Sequence, residues 1–258
     1  MKIIPLSAFR DNYIWCIQQP PSSYVAVVDP GDAKPVLNYL EQHHLELIAI
    51  LITHRHQDHI GGIEKLLKHY PQATVIAPHG DSILGNYRFV KEGDTVEIPL
   101  LDLKLQILEV PAHTKGHIAY YGENSLFCGD VLFGCCCGKI FEGTTKQMFQ
   151  TLNKIKDLPK ETLIYCAHEY TLEHIEFAKW VEPNNSALLE REIVCKNNRL
   201  KEIPTIPFSL ALELATDPFL RTSEITVKKA VEQFVQKSLD SEEQVFDQLY
   251  HWKQTEFN

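Results

Sequence analysis

The chain has no long hydrophobic run, no excess of basic residues and no glycine beyond Gly143. Its longest apolar stretch, Leu47 to Ile52, is strand-sized and far short of the ~18 residues of a membrane-spanning helix. Arg10 and Asp11 interrupt the apolar N-terminal segment too early for a secretory signal. The expectation is a cytoplasmic protein that engages no membrane. Lysine and arginine number 25 against 34 aspartates and glutamates, a net charge of −9. That balance opposes a nucleic-acid binder, while a local basic pocket for a small anion remains open. No Gly-x-Ser-x-Gly elbow is present to support a serine hydrolase. The cysteines are seven, an odd count, and Cys135, Cys136 and Cys137 are adjacent. That pattern does not make a disulfide framework, and reduced thiols are the simplest reading.

What is present is an ordinary globular composition, 44% hydrophobic and 23% charged over 258 residues. The first two-thirds alternate strand and helix signals. Tyr24 to Val28 and Leu47 to Ile52 are apolar runs that end in polar turns. Val36, Leu37 and Leu40 have helical spacing, as do Ile63, Leu66 and Leu67 after Gly61-Gly62. Thr74 to Ala77 reads as a short strand. Leu101, Leu103, Leu105 and Ile107 alternate with polar residues, the period of a half-buried strand. Further strands are expected at 117–121, 125–128 and 162–166. After residue 170 no strand is expected. Amphipathic helices are expected at 172–182, 186–202, 224–237 and 241–252, punctuated by Pro183, Pro204, Pro207 and Pro218. The domain division is therefore placed at 1–170 and 171–258.

Twelve histidines stand out. The segment Thr53-His54-Arg55-His56-Gln57-Asp58-His59 puts four ligand-type side chains just past an apolar strand. Imidazole nitrogen and carboxylate oxygen suit zinc, iron or manganese. His54 and His56, two apart on extended backbone, point to the same side. Asp58 and His59 follow as the chain turns into a helix, so one segment can serve two ions. His113, Asp130 and His168 each follow an apolar strand and a small residue. A carboxylate such as Asp130 can bridge two metals, which a neutral imidazole cannot. His117 reads as a supporting residue, and Asp29 as a turn residue that could hold a ligand histidine from behind. His43, His44, His69, His79, His174 and His251 have no partner at ligand spacing and read as surface or packing residues. Glu169 has a weaker context than its neighbour His168. Cys135 to Cys137 read as packing, with no activating environment.

The His-x-His-x-Asp-His motif with His113, Asp130 and His168 resembles the metallo-β-lactamase superfamily. Gly138-Lys139-Ile140-Phe141-Glu142-Gly143-Thr144 and His168-Glu169-Tyr170-Thr171 are similar to glyoxalase II, the hydroxyacylglutathione hydrolases. The resemblance spans essentially the whole chain. It implies an α+β fold, an αββα sandwich over residues 1–170 followed by a smaller all-α domain. It implies two divalent metal ions per chain, zinc first, with iron or manganese as alternatives. His54, His56 and His113 would hold one, and Asp58, His59 and His168 the other, with Asp130 shared. Lys139, Phe141, Tyr170 and Lys253 would line the substrate site, with Lys115 and Lys146 adding to its field. The implied reaction is hydrolysis of the glutathione thioester S-D-lactoylglutathione by a metal-bridging hydroxide, with Asp58 and Asp130 orienting it. This is the second step of methylglyoxal detoxification. The protein would be a monomer. The alternative is a glutathione persulfide dioxygenase with a single iron. Three positions depart from the family pattern. Cys136 stands where glycine is usual, Phe141 where tyrosine is common, and the segment before Lys253 lacks an arginine.

Overall fold

A computed structural model of the chain describes residues 1–257. Two six-stranded sheets form its centre. The first contains β1 (Lys2–Ala8), β2 (Asn12–Gln18), β3 (Tyr24–Val28), β4 (Glu46–Leu51), β5 (Thr74–Pro78) and β6 (Arg88–Val90), side by side in chain order. β1 to β3 are antiparallel and β3 to β6 are parallel. Parallel neighbours require crossovers. Helix α1 (Ala33–His43) makes the first, and α2 (Gln57–Ile60) with α3 (Ile63–His69) makes the second.

The second sheet begins with β7 (Thr95–Ile98), β8 (Leu103–Glu109), β9 (Ile118–Gly122) and β10 (Ser125–Gly129). A hairpin of β11 (Leu132–Phe133) and β12 (Cys136–Cys137) follows, then α4 (Thr145–Lys156) and β13 (Leu163–Cys166). The remainder is α5 (Thr171–Val181), α6 (Ser186–Arg199), β14 (Phe208–Ser209), α7 (Leu210–Thr216), α8 (Ile225–Val235) and α9 (Glu242–Glu256). The sheet order is β14-β13-β10-β9-β8-β7. Because β9 is antiparallel to both neighbours and β13 is parallel to β10, strands β8, β10 and β13 all point one way.

Alternation decides the layers. In β8, Leu103, Leu105 and Ile107 are buried while Lys104 and Gln106 are exposed. Along β2, β3 and β4, Trp15, Ile17, Ala26, Val28, Ala49 and Leu51 join these residues in a core between the sheets. The intervening residues Ile14, Cys16, Val25, Val27 and Ile50 pack instead against α1 and α3. Both faces of the first sheet are covered, so its strands are near-continuous apolar runs. Two buried polar links join the layers. Tyr120 Oη donates to the Ile52 and Ile76 carbonyls at 2.9 and 3.1 Å, and Trp15 Nε1 donates to the Cys166 carbonyl at 3.0 Å.

The α+β sandwich with a helical C-terminal region matches the expected fold, with differences in detail. Strand β14 lies in the region expected to be strand-free. It is only two residues long, and it extends the second sheet by pairing Ile164 with Phe208. Strands β1 and β2 have no clean alternation, because β1 is an edge strand containing Pro5 and β2 is buried on both faces. Helix α4 starts at a capping box between Thr144 and Gln147, a signal that apolar spacing does not report. All seven cysteines are free and buried.

Replacing Tyr120 by Phe keeps the ring and strips the Ile52 carbonyl of its hydroxyl partner. A loss of about 1–3 kcal/mol of unfolding free energy is expected in urea denaturation. An unchanged midpoint would show that the inter-sheet hydroxyl contributes nothing.

Candidate metal centre and substrate cleft

The expected ligand residues come from the C-terminal ends of four strands. β4 runs into His54, His56, Asp58 and His59. β8, β10 and β13 are followed by His113, Asp130 and His168. Since these four strands end at one edge of the sandwich, residues far apart in sequence meet there. Sheet ends of this kind carry sites on a rigid frame.

The donor atoms of six expected residues fall into two triads, His54 with His56 and His113, and Asp58 with His59 and His168, and a third group, Asp29 with His54 and His59, overlaps both. In the first, His56 Nδ1 lies 3.0 Å from both His54 Nε2 and His113 Nε2. In the second, Asp58 Oδ2 lies 3.5 Å from both His59 Nε2 and His168 Nε2. Asp130 stands between them. Its Oδ2 is 3.5 Å from His113 Nε2 and 3.4 Å from His168 Nε2, and its Oδ1 is 3.5 Å from His59 Nε2. Tetrahedral bonds of about 2.0–2.1 Å set ligand atoms roughly 3.3 Å apart, so these spacings fit metal ligation. His59 Nε2 and Asp130 Oδ1 are buried without a hydrogen-bond partner. A cation between them would satisfy both.

The far sides of the His59, His168 and His113 rings are also held. Asp29 Oδ2 accepts from His59 Nδ1 at 3.0 Å and from Thr53 Oγ1 at 2.6 Å, and its Oδ1 accepts from the Thr53 amide at 2.7 Å. His168 Nδ1 meets Asp11 Oδ1 at 2.8 Å, and His113 Nδ1 meets the Lys139 carbonyl at 2.9 Å. Asn12 Nδ2 donates to Asp58 Oδ2 at 3.0 Å. Such partners fix which nitrogen faces a metal and how basic it is. His117 stacks on His54 with centroids 4.6 Å apart and accepts from the Asp130 amide at 3.2 Å. Gly129 turns the chain at φ 52, and a Cβ there would lie 2.4 Å from Thr53 Oγ1 and 2.9 Å from the His117 ring.

Charge follows the same plan. Burial holds His54 and His113 below the usual imidazole range, so both are neutral, the form that ligates. Burial opposes charge on His59 and His168 as well, but the Asp130 carboxylate outweighs it and raises both. Asp130 stays well below the usual carboxylate range despite its burial, because His59 and His168 face it. Asp58 is lowered, chiefly by the His59 ring that faces it.

Beside the centre is a cleft of about 190 Å³ lined by Phe133, Lys139, Tyr170, Glu173, His174 and Lys253, among others. It brings together three of the four residues expected at the substrate site. The fourth, Phe141, stands edge-on to His56 and His113, with centroids at 5.5 and 5.2 Å, and Lys139 Nζ lies 5.4 Å from its ring. Tyr170 stacks on His168 at 4.8 Å and 6°. The Ile140 amide donates to Tyr250 Oη at 2.8 Å, which ties this wall to α9. Lys146 faces Glu243 at 3.7 Å instead of the cleft, and Lys115 does not line it. His174, expected as a surface or packing residue, is buried and lines the cleft floor.

Sequence spacing missed Asp11, Asn12 and Asp81. Asp11 and Asn12 sit where β1 turns into β2, and the Tyr13 amide donating to the Ala167 carbonyl brings that turn beside His168. Asp81 accepts from the Arg55 amide, Thr114 Oγ1 and the Gly116 amide at 2.9–3.0 Å, bracing two ligand loops together. Asp11 and Asp81 lie in turns and Asn12 opens β2, and only tertiary pairing gives each a role.

Comparison with known proteins gives consistent findings. The family model of the metallo-beta-lactamase superfamily matches residues 10–168, and that of the hydroxyacylglutathione hydrolase C-terminus matches residues 169–255. The hydroxyacylglutathione hydrolase of Nitrosomonas europaea is 46% identical, covering 98% of this chain and 95% of its own. That of Aliivibrio fischeri is 47% identical, covering 98% of each. Among solved structures, ETHE1 from Myxococcus xanthus superposes with a TM-score of 0.64 at 22% identity, over 97% of both chains. The BLEG-1 B3 metallo-beta-lactamase does so with a TM-score of 0.62 at 20% identity, over 85% of this chain and 98% of its own. These two likenesses are of fold alone.

Changing Asp29 to Asn removes a carboxylate acceptor from His59 without touching a donor atom. Zinc affinity should fall by about 10–100-fold, read by competition with a chromophoric chelator. Unaltered affinity would mean that Asp29 is a turn residue only.

Proposed function

Because this chain belongs to the hydroxyacylglutathione hydrolases of the metallo-beta-lactamase superfamily, we propose that it hydrolyses S-D-lactoylglutathione to D-lactate and glutathione. The observation that carries this reading is the joining of two convergent donor triads to a cleft holding two lysines. We assign two ions per chain, zinc before iron or manganese. His54, His56 and His113 would hold one, and Asp58, His59 and His168 the other, with Asp130 shared. Divalent ions bound there supply a nucleophile at neutral pH and a Lewis acid at the thioester carbonyl.

The chain's own groups do the rest. Asp58 and Asp130 accept hydrogen bonds from the attacking water and fix its direction. Lys139 and Lys253 oppose the net charge of −9 locally and hold the anionic glutathione. Tyr170 and Phe141 wall the reacting centre on opposite sides of the triads. The leaving group is a thiolate whose conjugate acid has a pKa of about 8.5, so no protein general acid is required.

Residues 1–170 act as the catalytic unit, and 171–258 as a helical unit that brings Lys253 to the cleft. The two family models, which meet between residues 168 and 169, support that division. Seven free, buried cysteines support a reducing, cytoplasmic setting, and no described helix is long and apolar enough to cross a membrane. The working unit is taken as a monomer. A single-iron persulfide dioxygenase is not favoured, because relatives at 44–47% identity over nearly the whole chain are named as hydrolases.

The test is hydrolysis of S-D-lactoylglutathione by the metal-loaded protein. Rapid loss of the thioester is expected. No loss, with oxygen uptake on glutathione persulfide, would contradict the reading. Asp130→Ala should cost more than about 100-fold in rate, beyond the loss seen when a residue merely supports a ligand. Retained activity would remove it from the centre. Lys139→Ala should raise KM about 10-fold or more, the size of a lost charge-assisted hydrogen bond, with kcat little changed. An unchanged KM would take Lys139 out of the substrate site.

A further inference from the structure

We propose that Arg55 is a positioning residue for glutathione binding, acting through Glu142 to hold the Lys139–Phe141 wall against the His54–His56 half of the centre. The inference rests on the thioester hydrolase reading above.

Residues 138–143 connect β12 to α4 and carry that wall. Its backbone is sewn to the loop of His113. The Phe141 amide donates to the His113 carbonyl at 3.3 Å, and the Glu142 amide donates to the Ala112 carbonyl at 3.4 Å. Gly143 packs so closely that a Cβ there would lie 2.6 Å from Ala112 Cα. Toward the His54–His56 segment the polar tie is made by side chains. The Arg55 guanidinium donates to Glu142 Oε1, while Glu142 Oε2 accepts from the Lys115 amide at 3.0 Å. One carboxylate therefore joins three segments. Arg55 is held at its root as well, because its amide donates to Asp81 Oδ2 at 2.9 Å.

Two physical consequences point the same way. Arg55 sets how Phe141 stands over His56, and Lys139 rides with Phe141. Arg55 also neutralises the carboxylate next in sequence to Phe141, the residue that faces His56 and His113. Without it Glu142 would repel glutathione in a protein already at −9. The two side chains are 37% and 33% exposed. An ion pair this open adds little to stability, so its effect is on substrate binding.

The experiment compares wild type, Arg55→Ala, Arg55→Lys, Glu142→Ala and the double alanine variant, each with bound metal and Tm measured. Arg55→Ala should raise KM for S-D-lactoylglutathione by about 3- to 10-fold, with kcat within about twofold, full metal content and an unmoved Tm. Arg55→Lys should recover most of the loss. The double variant should be no worse than Glu142→Ala alone, because Arg55 acts only through the Glu142 carboxylate, which also holds the Lys115 amide. An unchanged KM, loss of metal on Arg55→Ala, or additive effects in the double variant would each overturn the proposal. A wild type that leaves the thioester intact is a different result. It overturns the functional reading, and this inference falls with it.

Discussion

The Asp130 carboxylate is ionised where almost no water reaches it, and the candidate centre is organised around that charge. An unpaired buried charge costs several kcal/mol. Here His59, His113 and His168 converge on its two oxygens from three different loops. Those loops are fixed in turn by Asp29, the Lys139 carbonyl and Asp11. Loosening any one of these leaves a buried charge short of a partner.

The two sheets contribute unequally. The first sends one strand, β4, which delivers four donor residues in six positions. The second sends three strands that deliver one donor residue each. Each triad mixes residues from both sheets, so the spacing between the sheets sets the donor geometry. The Tyr120 and Trp15 links across that gap are therefore part of the site's precision as well as of the core. The C-terminal helices add Lys253, a second basic side chain beside Lys139 of the sandwich, to the cleft. In the proposed reading an anionic substrate is attracted at short range, by Lys139 and Lys253 against the general field.

Much of this was legible in the sequence. Strands β3, β4, β8 and β10 and the long C-terminal helices announce themselves by apolar runs, alternation or helical spacing. The donor residues are legible because each follows such a strand, and Asp29 because it sits at the turn after β3. Other features depend on tertiary pairing. Asp11 and Asn12 look like an ordinary hairpin turn until β2 is laid beside the His168 segment. Arg55 looks like a solvated charge between two histidines until the Glu142 loop closes over it. His174 has no ligand spacing and is set aside, although folding buries it beneath the cleft. Strand β14 is too short to carry any pattern.

We propose that Asp130 is shared between two metal positions. Anomalous diffraction from crystals of the zinc-loaded chain tests it directly. Two peaks are expected, one among His54, His56 and His113 and one among Asp58, His59 and His168, with Asp130 bonded to both. A single peak at full zinc loading, or two peaks with Asp130 bonded to one alone, would contradict it.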